Sequence, residues 1–156
     1  MSTPEKDELD DRILRQFIKI LDGSDPQGKI GVLGGSKPRS DGGPTNAEIG
    51  LKHEFGKEGM PTRSWLRVPL MDHLEEYLDR AGFNPEAVLK QVLADRSLRP
   101  LLEKIMVVCK RVVLDGFASC GFGKWPPSDM THKKNHQTLV ETGQLRNSVE
   151  TEIKGG

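Results

Sequence analysis

His132 and His136 stand four residues apart, a spacing that puts two imidazoles on one helix face where they could share a zinc ion. Lys133, Lys134 and Asn135 lie between them, with no Glu and no clear third ligand, and the two ammonium groups would oppose a cation. The pair therefore reads as surface histidines. His53 and Glu54 adjoin near an expected helix end, and such a couple could act as a general base. Nothing supplies a nucleophile or an oxyanion donor at a recognisable spacing, so the two are assigned a structural role at the helix C-terminus. Gly31, Gly34 and Gly35, followed by Ser36 and Lys37, have the residue types of a phosphate-binding loop. The four-residue gap before a Gly-Lys-Ser/Thr is missing, and more loop follows where a helix should start. Lys29, Lys37, Arg39, Lys133, Lys134 and Arg146 could touch phosphates. Aromatic residues do not alternate with them, so stacking on bases is not indicated and solvated charge is the reading. Cys109 and Cys120 lack the close paired spacing of a zinc site, and Cys109, in an apolar run, reads as a buried reduced thiol. The expectation is no catalytic residue, no cofactor and no metal.

The composition explains why such residues would need help to be held in place. Hydrophobic residues are 35 % of the 156 and charged residues 29 %, a thin apolar supply for a large core. A domain built this way gains stability from a partner surface. With 17 glycines and 10 prolines, long irregular connections are expected. The 23 basic and 23 acidic side chains cancel, so no global field drives the chain onto nucleic acid or an anionic membrane. Two cysteines do not make a disulfide framework. The start, MSTPEKDELDD, lacks the pattern of a secretion signal, and no apolar run approaches the ~20 residues of a membrane span. A cytoplasm-like compartment follows.

Helical spacing predicts an amphipathic helix over 4–21, with Leu9, Ile13, Phe17 and Ile20 on one face. A short strand is predicted over 29–33, then a flexible loop over about 34–44 that could order on assembly. Thr45 and Glu48 form a capping box that opens a helix ending at Phe55, with Gly56 as its stop. Residues 63–79 have helical spacing that becomes regular at Pro69. Asn84 and Pro85 start a helix to about Asp95, and a longer one follows from about Leu98 to Ser119, the most buried of all. After an irregular stretch, 145–153 reads as a closing strand with Leu145 and Val149 facing the core, before a frayed tail. The expected class is α+β: several helices on a small antiparallel sheet of two to four strands, as a single domain over 1–156.

Three segments, taken in order, resemble a known family. They are Asn46–Gly56, ending in His53-Glu54-Phe55-Gly56; Met60–Arg67, carrying Pro61, Arg63, Trp65 and Arg67; and Leu139–Val149, carrying Thr142, Gly143, Leu145 and Ser148. Trp125, followed by two prolines, is similar to an element that precedes the closing strand. The order resembles the virion morphogenesis and tail-completion proteins of tailed bacteriophages, together with their related tail-component family. Ser64-Trp65 stands where Pro-Phe is common in that family, and Val149 stands where Ile is. The middle, 84–119, carries none of the diagnostic residues.

The motifs make structural sense. Phe55 can dock the short helix while Gly56 turns the chain; Pro61, Arg63 and Trp65 can pin the loop; Arg63 and Arg67 have the fork for bidentate carboxylate pairs. The resemblance implies a structural virion protein and no enzyme. It implies a homo-oligomeric ring, a hexamer, at the head–tail junction, closed by heterologous contacts between copies. Its partners would be itself, an adjacent neck or head-closure protein, and the tail tube or tail terminator, with DNA passing through the lumen without sequence-specific binding. A tail terminator or an assembly factor is the nearest alternative. A nucleic-acid-associated module using 132–134 is a more distant one.

Overall fold

A computed structural model describes residues 4–23, 25–33, 42–126 and 143–155. Its elements run α1 (Pro4–Gly23), β1 (Gln27–Gly31), α2 (Asn46–Phe55), α3 (Arg67–Arg80), α4 (Pro85–Asp95), α5 (Arg99–Ala118), α6 (Gln144–Asn147) and β2 (Glu150–Lys154). The class is α+β, helices on a two-stranded antiparallel sheet.

The longest core helix organises the rest. In α5, Leu101, Met106, Cys109, Val112, Val113, Gly116 and Phe117 are buried, a set with helical spacing. One side of α5 packs on α3, and another carries both strands. Tyr77 of α3 donates to Asp115 Oδ2 of α5 at 2.8 Å. Desolvation first, and that hydrogen bond second, push the Tyr77 phenol above its ordinary range. Burial likewise raises the Cys109 thiol, which is free, as is Cys120.

The helix ends follow local chemistry. Thr45 Oγ1 accepts from Glu48 N at 3.1 Å, and Glu48 Oε2 accepts from Thr45 N at 2.9 Å. Thr45→Ala should therefore cost about 1 kcal/mol, read as a lower urea midpoint with unchanged slope. Asn84 Oδ1 accepts from Ala87 N at 2.9 Å, with Pro85 in the first turn as expected.

Three sequence expectations shift. The strand pairs Gln27 with Lys154 through to Gly31 with Glu150, two residues earlier than the apolar residues suggested. Helix α3 begins at Arg67, ahead of Pro69, because a first-turn residue needs no N–H partner inside the helix. The closing segment is not one strand. Gly143, at φ 65°, opens the helical turn α6, Asn147 N donates back to Gly143 O at 2.8 Å, and only then does β2 begin. Leu145 and Val149 are both buried, as expected. Their spacing of four fits one face of a helix and one face of a strand alike, which is why the pattern could not separate the two. Most of the loop expected at 34–44 lies outside the described residues, as do His132, Lys133, Lys134, His136, Thr142, Lys37 and Arg39. No helix among the described residues is long and apolar enough to cross a membrane.

Candidate functional site

Two of the resemblance-bearing segments, the end of α2 and the return into α3, meet at Glu54. This residue is the last but one of α2 and is only 5 % exposed. The chain turns sharply at Gly56 (φ 76°, ψ 170°) and runs back along the helix it has just left, with Arg63 N donating to His53 O at 2.7 Å. The return lays the start of α3 across the Glu54 carboxylate. Oε1 accepts from Ser64 Oγ at 2.6 Å and Arg67 N at 3.0 Å. Oε2 accepts from Trp65 N at 2.9 Å and Leu66 N at 3.0 Å. Three of these donors are backbone amides at the opening of α3, where unsatisfied N–H groups and the helix dipole both favour an anion. No residue of α3 itself supplies a side-chain cap; Glu54, more than ten positions earlier, fills that role from outside.

A carboxylate accepts about four hydrogen bonds, and Glu54 has four donors. It has no acceptor position left for a substrate proton. All four donors on the Glu54 carboxylate thus come from the segment that opens α3. The buried charge is matched by donors instead of by a tight ion pair. The Arg67 guanidinium reaches Oε1 only through Nε at 3.7 Å, from a side chain that is 56 % exposed. The bidentate fork expected of Arg67 is thus absent, because its backbone amide has taken the nearer position on the same oxygen. Arg63 is buried and its Nε donates to Pro126 O at 3.0 Å.

Two tryptophans flank the node. Trp65 Nε1 donates to Gly50 O at 2.8 Å, and Trp125 Nε1 donates to Ser64 O at 3.0 Å. Phe117 of α5 is fully buried between them, its ring centre 5.8 Å from each. Leu145 and Val149 close the cluster from the C-terminal segment. Ser148 Oγ donates to Leu145 O at 2.7 Å, holding the α6 turn that delivers them. Gly50 allows the approach of α2: a Cβ there would lie 2.9 Å from Trp65 Cζ2 and 3.2 Å from Leu145 Cδ1. Gly50→Ala should thus destabilise by about 1–2 kcal/mol, overpacking outweighing its better helix propensity. Thermal unfolding would read that sign; a rise in Tm would contradict it.

The docking expected of Phe55 does not occur. Phe55 is 63 % exposed and Leu51, one turn earlier, is 61 % exposed. The burial expected of Phe55 belongs to its neighbour Glu54, since successive helix positions point about 100° apart. Phe55 instead carries the Arg67 guanidinium 5.8 Å above its ring centre. Pro61 is exposed at the tip of the return, so Arg63 and Trp65 do the pinning without it.

Among the described residues, no group of three or more His, Cys, Asp or Glu is placed to hold a metal ion. Sequence reasoning named Glu54, Arg63, Trp65, Trp125 and Leu145, which do come together. It missed Ser64, Gly50 and Phe117. The signal for Ser64 was a small hydroxyl just before a helix, in the segment that a buried acid must satisfy. No protein-family model, no curated protein and no solved structure matches the chain.

Proposed function

We propose that this chain is a structural subunit of a tailed-phage virion, a ring-forming neck or tail-completion protein at the head–tail junction. The observation that supports this reading best is the convergence of its motif residues on Glu54 and on the adjoining Trp65–Phe117–Trp125 cluster. The family resemblance rests on short pieces, Asn46–Gly56, Met60–Arg67, Trp125 and the segment up to Val149. Scattered over a surface, such pieces would be coincidences of composition. Here they form one packing unit in which each piece has a defined physical task. A saturated carboxylate beside an aromatic cluster builds a rigid corner, and a corner is what a ring subunit has to keep fixed.

On this reading the protein is a part and not a catalyst. It acts by contact with copies of itself, with an adjacent neck or head-closure protein, and with the tail tube or terminator, while DNA passes through the lumen. A tail terminator and an assembly factor are structural alternatives within the same reading. Electron microscopy of the purified full chain, with mass spectrometry of particles, tests it. Closed rings and presence in the virion are expected. A protein absent from finished particles would leave the neck role untenable.

A further inference from the structure

We draw no further inference here: the strongest candidate, the open apolar groove between α3, α4 and α5 lined by Met71, Leu74, Leu78, Val88, Leu101 and Ile105, carries nothing because nothing in the structure shows what covers it.

Discussion

Glu54→Ala is expected to destabilise the protein by about 3–5 kcal/mol, the range for removing one partner from a buried charged network. Ser64 Oγ and the amides of Trp65, Leu66 and Arg67 would all lose their acceptor at once. Arg67 N and Leu66 N lie at the edge of the site and could recruit water. Ser64 and Trp65 are buried and could not without opening the cluster. Leaving a buried donor unmade costs about 1–3 kcal/mol, so those two alone account for most of the expected loss. In a chain of this size the midpoint should fall by roughly 10 °C or more. Glu54→Gln separates charge from shape. One of its two heads would be an NH₂ facing donors, so it should recover less than half of the loss, although it fills the same volume. Chemical unfolding of the three proteins, with far-UV circular dichroism to follow α2 and α3, checks this. If Glu54→Gln were as stable as the parent, the node would be held by packing, and the electrostatic account would fail.

The second large effect concerns the other end of the cluster. After α5 the chain passes through four successive residues with positive φ: Cys120 at 53°, Gly121 at 69°, Phe122 at 55° and Gly123 at 82°. Two of them are not glycine, and each non-glycine residue in this region costs roughly 1–2 kcal/mol. The left-handed turn reverses the chain, with Gly121 N donating to Gly116 O at 2.7 Å and Trp125 N to Cys120 O at 3.0 Å. What offsets the strain is packing. Phe122 stacks on His73 with ring centres 3.8 Å apart, and Trp125 meets the Phe117 ring edge-on. Trp125→Ala should therefore cost about 3–5 kcal/mol, through the lost indole, the cavity beside Phe117 and the orphaned Ser64 carbonyl.

Gly121→Ala should act through the same indole. A Cβ at Gly121 would sit 2.3 Å from Trp125 Cδ1, so the ring must move, and alanine also resists the positive φ. The sum is roughly 2–4 kcal/mol. With Trp125→Ala already present the clash disappears and only the backbone strain remains. The double variant should thus be less destabilised than the sum of the singles by about 1–3 kcal/mol. Strict additivity would mean that Gly121 and Trp125 do not share the contact.

Much of the outline was legible in the residues. The Thr45–Glu48 box, Asn84-Pro85 and the apolar rows of 4–21 and 98–119 act within a few positions of themselves, so they could be read without the rest of the chain. The α+β class followed from those helices and a few short apolar runs. Membership of the cluster was legible only for residues in recognisable segments. Phe117 lies in a helix with many apolar positions, and nothing local marks it as the one between two tryptophans.

The assignments that failed share a cause. Phe55 was expected to dock because it is large and apolar, and Glu54 was expected to serve a helix end because it is charged. The fold reverses both: the return from Gly56 to Arg67 brings four donors to one helix position and none to the next, so the acid is buried and the phenylalanine exposed. Likewise Leu145 and Val149 were expected to face inward from a strand, and they do so from the helical turn α6 and the residue before β2. By itself the sequence determined where α2, α4 and α5 start and stop and which class of fold they build, because caps, turns and periodicity are short-range physics. Only the tertiary structure decided that Glu54 caps α3 and that Trp125 returns to Ser64. It alone also showed that α1 buries no residue from Asp11 onward. Each of those depends on groups far apart in the chain, whose meeting no local preference encodes.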